Sequence, residues 1–446
     1  MQPYSEIGQL PAIDYAARRQ QLLASMPMNS CAVIPSAREI TRSRDTEFSF
    51  RQDSDFWYLT GFAEPDAWLL LHKAGDGSSK QLLLCRDKDP LAEVWQGRRL
   101  GPAQCQAQLG ITGMSLSALS EQLLGFINGV TTVLWPLGLY APVDDTLHQT
   151  LATLRRYPKR GYQAPAQLHD IRPLIAEMRL FKDDAEIAIM ATAGAISARA
   201  HMRAMQSAAR FQYEYQLEAE IRHQFAIEGA RECAYNTIVG AGENGCILHY
   251  TENADPLRAG DLVLIDAGCE LHGYAADITR TFPVNGRFSP AQAEIYQVVL
   301  NAQYAACAQV KPGNRMSDAV AAAHHELTKG LVALGILQGD VAQLLADNAC
   351  KQYFIHGLGH WLGLDVHDVG AYKIDGLDRP FEPGMVLTIE PGLYIPAQSP
   401  CDEKYWGIAV RIEDNLLVIK DGHRNLTDTA VKEIADIEAL MTSTRP

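Results

Sequence analysis

The fold is decided by two similar stretches, Gly260-Asp-Leu-Val-Leu-Ile-Asp266-Ala-Gly268 and Gly384-Met-Val-Leu-Thr-Ile-Glu390-Pro-Gly392. Each consists of a glycine, an apolar stretch rich in strand-forming residues, an acid six positions on and a second glycine two positions later. A further acid follows each stretch, Asp277 in the first case and Glu413 in the second. This weak internal repeat predicts two similar halves whose strand pairs face one another, so that their four acids converge.

Acids at the ends of apolar runs carry an electrostatic cost, because an ionised carboxylate in apolar surroundings needs a cation or several hydrogen bonds. Either stretch alone would fit an ordinary buried strand whose terminal acid caps a turn. The match of both stretches, with their acids in register, favours a metal site. The predicted metal ligands are the four acids and one histidine: Asp266, Asp277, His360, Glu390 and Glu413.

The predicted ligands are mostly oxygen donors, which suit Mn²⁺, while the single imidazole also admits Co²⁺ or Zn²⁺. We expect two divalent ions about 3.5–4 Å apart that share a hydroxide and act on both sides of a hydrolytic transition state. Asp277 and Glu413 are the candidates for bridging carboxylates, because each is expected on the second strand of its pair.

Histidines concentrate in one short segment. His356, His360 and His367 lie close together among several glycines and beside Trp361, which indicates site residues. The two glycines between His356 and His360 argue against a helix, and therefore against the helical histidine pair of zinc proteases. His249 follows a glycine-rich turn, and its spacing alone leaves a site role and a structural role equally open.

Arg411 precedes Glu413 by two positions, so the two side chains are expected on the same face of a strand. A guanidinium there would hold a ligand carboxylate in place. The alternative is a surface salt bridge, which the apolar neighbours Val410 and Ile412 disfavour.

Composition limits the classes of partner. The net charge is −14, without a long run of either sign, which argues against nucleic acid or an anionic membrane as a partner. No apolar stretch approaches the roughly 20 residues that span a bilayer, and residues 1–8 lack the pattern of a secretion signal. The nine cysteines never form a Cys-x-x-Cys pair, which fits reduced thiols and a cytoplasmic location.

At 446 residues the chain is long enough for two or three domains. The first part mixes strands and helices, with short strands predicted at 54–62, 68–72 and 81–85, and 171–179 is expected to be a connector. A helix is predicted to begin near Asp183, which has Glu186 three positions on as in a capping box. Ser289 is the predicted N-cap of a later helix, before Pro290.

These motifs resemble those of metallopeptidases with the creatinase and methionine aminopeptidase fold, called the pita-bread fold, and among them the aminopeptidase P (Xaa-Pro aminopeptidase) group. The resemblance covers nearly the whole chain. It is carried by Leu-Ile-Asp266-Ala-Gly, Asp277-Ile-Thr-Arg-Thr-Phe-Pro, His-Gly-Leu-Gly-His360-Trp, Val-His367-Asp-Val-Gly, Thr-Ile-Glu390-Pro-Gly-Leu-Tyr and Arg411-Ile-Glu413-Asp, and in the first part by Trp95-Gln-Gly-Arg-Arg-Leu-Gly.

The resemblance implies an α+β protein with a smaller α/β N-terminal domain at 1–176 and a pseudo-symmetric pita-bread catalytic domain at 177–446. It implies a metal-dependent exopeptidase that releases the N-terminal residue from peptides with proline in second position. A hydroxide bridging two metal ions, usually Mn²⁺, would attack the Xaa-Pro bond. The alternatives are an Xaa-Pro dipeptidase (prolidase) on the same fold and an inactive binding module, which the intact ligand set disfavours.

The resemblance also implies roles for single residues and an assembly. His249, His356 and His367 would surround the substrate, with His356 at the scissile carbonyl or the tetrahedral intermediate. Glu390 would also take a proton from the attacking water. A homo-oligomer, either a dimer or a tetramer, is expected, in which Trp95 of the N-terminal domain helps to wall a neighbour's site.

Overall fold

The computed structural model describes residues 10–443, so residues 1–8, on which the expectation about a secretion signal rests, lie outside the described part. Two compact units are present, one formed by Ile13–Arg179 and the other by the chain from Leu180 onward. The expected domain boundary between residues 176 and 177 falls inside a helix and stays a prediction. No helix among the described residues is both long and apolar enough to cross a membrane.

Helices occur throughout the described chain and are numbered here in chain order. They are α1 (Tyr15–Ser25), α2 (Ser54–Thr60), α3 (Pro90–Gln96), α4 (Pro102–Leu109), α5 (Leu119–Ile127), α6 (Ala141–Arg156), α7 (Arg172–Leu180), α8 (Asp184–Ser207), α9 (Glu214–Ile227), α10 (Pro290–Cys307), α11 (Met316–Ala333), α12 (Val341–Ala346) and α13 (Ile434–Thr442).

Strands alternate with these helices. They are β1 (Ser30–Pro35), β2 (Thr41–Ser43), β3 (Thr46–Glu47), β4 (Trp68–Lys73), β5 (Ser79–Cys85), β6 (Thr112–Ser115), β7 (Thr132–Trp135), β8 (Gln167–Asp170), β9 (Glu232–Cys233), β10 (Ile238–Ala241), β11 (Leu262–Asp266), β12 (Cys269–Leu271), β13 (Tyr274–Ala275), β14 (Thr279–Pro283), β15 (Lys373–Ile374), β16 (Leu377–Asp378), β17 (Val386–Ile389), β18 (Gly392–Ile395), β19 (Ile408–Arg411), β20 (Asp414–Ile419) and β21 (Gly422–Asn425).

The first unit is built on a six-stranded mixed sheet with the order β6-β5-β4-β1-β7-β8. The central strand β1 runs antiparallel to β4 and parallel to β7. Its core joins Val33, Leu70 and Val133 of the sheet to Leu123 of α5 and Leu147 of α6. The sheet therefore has a helix-covered apolar face, as in other mixed α/β units.

The predicted strand at 54–62 is wrong, because residues 54–60 form helix α2. The aromatic residues Phe56, Trp57 and Tyr58 have high strand propensity, but both ends carry helix caps. The Asp53 carboxylate accepts a hydrogen bond from the Phe56 amide at 3.0 Å, and Gly61 closes the helix with a φ of 61°. Capping at both ends outweighs propensity here.

The expected connector at 171–179 consists mainly of helix α7 (Arg172–Leu180), and the two units divide at its end, between Arg179 and Leu180. The predicted caps of α8 and α10 are confirmed. Asp183 and Glu186 form a reciprocal capping box before α8. Ser289 caps α10, whose first residue is Pro290.

The second unit contains the two matched strand pairs that the repeat predicts. Strand β11 pairs antiparallel with β14, with Asp266 opposite Thr279. Strand β17 pairs antiparallel with β20, with Ile389 opposite Asp414. A third strand extends each pair, β10 beside β11 and β21 beside β20. Each half is thus a three-stranded sheet preceded by a pair of helices, α8 and α9 in one half and α10 and α11 in the other.

Hydrogen bonds and a buried ion pair connect the two halves. Thr279 of β14 accepts a bond from the Glu413 amide at 3.1 Å through its carbonyl. Arg280 donates to the Glu413 carbonyl at 2.6 Å and to the Asp414 carboxylate at 2.7 Å, and both charged side chains of this pair are fully buried. Burial alone would raise the pKa of Asp414, but Arg280 and Lys432 outweigh it and hold that pKa below its ordinary value.

We expect Arg280→Met to destabilise the protein by about 3–5 kcal/mol, because it leaves the buried Asp414 charge with a weaker set of partners. The free energy of unfolding from urea titrations at neutral pH measures this loss. Arg222→Ala is the matched control, since Arg222 pairs with Glu218 at 3.3 Å on an exposed helix face and should cost about 0.5 kcal/mol or less. Equal losses in the two variants would contradict a special role for the buried pair.

Candidate metal centre

The acidic residues of the two halves meet at a cavity of about 1040 Å³ in the second unit. The predicted site residues of the catalytic domain all line it: His249, Asp266, Asp277, His356, His360, His367, Glu390, Arg411 and Glu413. Trp95 lies instead on α3 of the first unit, and 88% of its surface is exposed. The structure of the single chain therefore brings the predicted ligands and histidines together, and the role of Trp95 in a neighbour's site stays a prediction.

The four acids stand at equivalent ends of the paired strands. Asp266 is the last residue of β11, and Glu390 directly follows β17. Asp277 and Glu413 lie just before β14 and β20, rather than on these strands as expected. At Asp277 a side chain replaces the backbone ladder: the Asp277 amide donates to Asn415 Oδ1 at 3.0 Å, and Asn415 Nδ2 donates to the Asp277 carbonyl at 2.5 Å.

The distances place these groups at one point. Ligand atoms of Asp277, His360 and Glu413 all lie within 4.8 Å of one another. His360 Nε2 is 3.4 Å from Asp277 Oδ2 and 3.5 Å from Glu390 Oε1. Asp266 joins the group through the Tyr235 hydroxyl, which lies 2.5 Å from Asp266 Oδ1 and 2.6 Å from Asp277 Oδ1.

Burial and the closeness of like charges raise the pKa values of several acids in this cluster. Burial and the neighbouring acid Asp266 raise the pKa of Asp277. Burial, followed by the charges of Asp277 and Glu390, raises the pKa of Glu413 well above its ordinary value. Burial raises the pKa of Glu390 to about 7. Without a cation the cluster therefore favours bound protons, and a divalent ion would relieve this repulsion.

His360 is oriented as a ligand. Its Nδ1 donates to the Trp361 carbonyl at 2.9 Å, because a carbonyl can only accept. The Nε2 lone pair of the neutral ring therefore faces the acids, which is the usual arrangement of metal-bound histidine. Burial alone would lower the pKa of His360, but Asp277 and Glu390 outweigh it and raise the pKa to about 9. The donor set and its orientation thus fit a divalent metal ion.

Arg411 lies on the face that the spacing predicts. Its Nη2 donates to Asp266 Oδ2 at 2.6 Å, its Nε donates to the Thr279 hydroxyl at 3.0 Å, and its Nη1 donates to the Tyr394 hydroxyl at 2.7 Å. The guanidinium is almost fully buried. It therefore holds one acid of the first half from a strand of the second half.

His356 is the next member of this chain of hydrogen bonds. Its Nδ1 donates to the Gly357 carbonyl at 2.7 Å, so its Nε2 accepts from the Tyr394 hydroxyl at 2.7 Å. Its Nδ1 also lies 3.7 Å from Glu390 Oε2. Burial and the nearby Arg411 charge lower the pKa of His356 to about 4, so the ring is neutral at physiological pH.

The remaining histidines form the wall of the cavity. The His367 ring packs edge-on against the His360 ring, with centroids 4.3 Å apart, and burial together with His360 lowers the pKa of His367. His249 lines the cavity beyond the short helical turn Gly242–Cys246. The segment 355–368, with its three histidines, contains no helix, as its glycines predict.

Several residues that hold the site were not singled out from the sequence. Thr279 donates to Glu413 Oε2 at 2.6 Å, and Thr388 donates to Glu390 Oε1 at 3.2 Å. Both threonines stand two positions from an acid, so the alternation of side chains along a strand could have found them. Tyr235 has no such signal, because its contacts are 31 and 42 residues away along the chain.

Family comparisons agree with this architecture. Residues 188–420 match the model of metallopeptidase family M24, and residues 15–135 match the model of the aminopeptidase P N-terminal domain. The fold and the acidic centre therefore define the class of the protein as a metallopeptidase, with an N-terminal α/β domain before a pita-bread domain.

Individual relatives narrow the class. Xaa-Pro aminopeptidase of Escherichia coli K12 is 49% identical over 97% of this chain and 98% of its own length. Xaa-Pro aminopeptidase of Haemophilus influenzae is 46% identical over 98% of each chain. A solved structure of zinc-substituted E. coli aminopeptidase P in complex with product matches with a TM-score of 0.96, covering 98% of this chain and all of that one. The chain belongs to the Xaa-Pro aminopeptidase group of family M24.

The electrostatics of His360 predict how the metal-free protein responds to alkaline pH. The folded chain keeps the His360 proton to about pH 9, whereas the unfolded chain releases it near 6.5. This raised pKa contributes stability that is present below pH 6.5 and lost as pH rises to 9. The melting temperature of chelator-treated protein should therefore fall across this window.

The same melting experiment carries its own controls. His360→Gln should reduce the pH dependence of the chelated protein, with a remainder from the raised pKa values of Glu390 and Glu413. His325→Gln, on the exposed face of α11, should leave the pH dependence unchanged. Mn²⁺ should reverse the trend, since metal binding needs deprotonated ligands and tightens with pH. A melting temperature of the chelated wild type that is constant or rises from pH 6.5 to 9 would contradict the assignment.

Proposed function

We propose that the protein releases the N-terminal residue from peptides whose second residue is proline, with two divalent ions held by Asp266, Asp277, His360, Glu390 and Glu413. The observation that carries this proposal is the convergence of ligand atoms from both halves at one cavity. The activity of the E. coli and H. influenzae relatives supports the substrate class.

The divalent ions, when bound, would supply positive charge to lower the pKa of a water molecule and to polarise a carbonyl group. The protein's own groups would do the rest. Glu390 lies between the acids and His356, with a pKa near neutrality, and is placed to accept a proton from the attacking water. His356, held by Tyr394, lies at the wall where the carbonyl oxygen of the first residue would be bound.

Recognition of proline has to rely on shape, because an Xaa-Pro bond has no N–H group to bind. We assign His249 and His367 to the walls around the proline ring, since both line the cavity beside the acids. The free amino group of the substrate would be anchored at the carboxylate cluster, which limits cleavage to the first residue.

The finer expectations are proposals of the same kind. Mn²⁺ is the proposed ion because oxygen donors dominate the ligand set, and zinc substitution in the E. coli relative agrees with Zn²⁺ as an alternative. The nine cysteines are unpaired, which supports a cytoplasmic location. Exposed Leu91, Val94 and Trp95 on α3 support a homo-oligomer, whether dimer or tetramer, in which this surface is covered.

A short peptide panel tests the activity. With Mn²⁺ we expect release of the first residue from Ala-Pro-Ala and longer Xaa-Pro peptides, and no release from Ala-Ala-Ala. Asp277→Ala should abolish hydrolysis, because it removes a ligand shared by the cluster. Turnover of Xaa-Pro dipeptides alone would indicate a prolidase, and metal-independent turnover in Asp277→Ala would refute the metal-dependent reaction.

A single histidine variant tests the role of the cavity wall. We expect His356→Ala to lower kcat about a hundredfold with a smaller change in KM, because the His356 Nδ1–H would turn from the Gly357 carbonyl to the developing oxyanion and so act mainly in the transition state. His325→Ala, on an exposed helix face, should retain wild-type kinetics. A change confined to KM would place His356 in substrate binding instead.

A further inference from the structure

Helix α8 turns one stripe of side chains towards the back of the metal centre. Ala193, Ser197 and His201 are spaced four residues apart and so share one face of the helix. All three are fully buried. Their partners lie in Ala267–Cys269, the short segment that directly follows Asp266.

Each residue of the stripe makes a polar contact with this segment. His201 Nε2 lies 2.9 Å from the Ala267 carbonyl oxygen, so Nε2 carries the ring proton and donates. The Cys269 amide donates to Ser197 Oγ at 3.1 Å. The Cys269 thiol contacts the Ala193 carbonyl at 3.4 Å. The helix therefore fixes the backbone on both sides of Gly268.

That backbone is where the segments bearing Asp266 and Asp277 touch. The Ala267 amide donates to the Ile278 carbonyl at 3.0 Å, and each of these residues directly follows one of the two acids. A side chain on Gly268 would come within 1.7 Å of the Ala276 carbonyl oxygen. Because the two segments approach so closely, a shift of the Ala267 peptide would change the separation between Asp266 and Asp277.

Burial of the His201 imidazole at this position costs free energy of folding. Among the described residues, the buried Nδ1 atom of His201 has no hydrogen-bond partner. An unpaired buried polar atom costs about 1–3 kcal/mol, whereas an apolar side chain of similar volume would fill the space without that cost. The bond from Nε2 to the Ala267 carbonyl is the contact through which the ring holds the segment after Asp266.

We propose that His201, assisted by Ser197, is a positioning residue that sets the separation of the Asp266 and Asp277 carboxylates for two metal ions. The inference rests on the proposed metal-dependent function. It assigns a role in the metal centre to a helix whose side chains lie outside the cavity.

His201→Leu tests the proposal, because it keeps the buried volume and removes the donor. We expect the affinity of the metal-free protein for Mn²⁺, measured by titration calorimetry, to fall about tenfold. The stabilisation of the melting temperature by a fixed Mn²⁺ concentration should shrink in parallel. At saturating Mn²⁺, kcat should fall, and the change in KM should be smaller.

Two further variants separate positioning from general packing. His201→Gln offers an amide donor at a similar reach and should recover most of the Mn²⁺ affinity. Met205→Leu changes a buried apolar side chain one turn further along α8 and should leave the Mn²⁺ affinity unchanged. A purely structural role for His201 would lower the melting temperature of the metal-free protein without a change in Mn²⁺ affinity, and would overturn the proposal.

Ser197→Ala keeps the test decisive if His201→Leu does not fold. It removes the acceptor of the Cys269 amide, and we expect a loss of Mn²⁺ affinity of a few-fold. Wild-type affinity in Ser197→Ala together with an unfolded His201→Leu would overturn the proposal. Failure of the wild type to bind Mn²⁺ or to cleave Xaa-Pro peptides would instead refute the proposed function, so the two failures are distinguishable.

Discussion

Repulsion among four carboxylates, held at one point away from water, is the constraint on which the rest of the catalytic unit depends. Left to themselves these groups would separate or take up protons. The two halves of the unit prevent separation, because each supplies two of the acids and each is bonded to the other half beside them. Thr279 donates to Glu413, and Arg411 of the second half binds Asp266 of the first. The structure therefore stores electrostatic cost that a pair of cations would relieve.

Two kinds of group hold the acids in place: some contact the carboxylates, and others contact the backbone behind them. Tyr235, Thr279 and Arg411 contact the carboxylates themselves and set their orientation. Behind them, Asn415 and His201 contact only the backbone that carries the acids. A carboxylate can swing about its side-chain bonds while its backbone stays fixed, so both kinds of support are needed to hold four acids in one arrangement.

The sequence predicted which acids and histidines line the cavity, and Arg411 beside them, but it did not predict most of the groups that hold them in place. The five predicted ligands share a visible pattern, an acid or histidine at the end of an apolar or glycine-rich run, and Arg411 follows from strand alternation. Tyr235 contacts Asp266 and Asp277, and His201 contacts the backbone after Asp266, through long-range contacts that no local pattern encodes. The error at 54–60 had another cause: strand propensity of the aromatic residues was read without the caps at Asp53 and Gly61, which decide for a helix.

The side chain of Asn415 takes the place of a peptide group, since it bonds both the amide and the carbonyl of Asp277. These partners are 138 residues apart in sequence. The bonds from Thr279 and Arg280 to the second half join residues with similar sequence separations. Closing loops of this length is entropically costly, and contacts of high sequence separation form slowly during folding. We therefore expect these contacts between the two halves to form after the more local contacts within each sheet. A nascent chain that ends before β20 would carry all four acids but would lack Asn415 and Asp414, which bond to Asp277 and Arg280 of the first half.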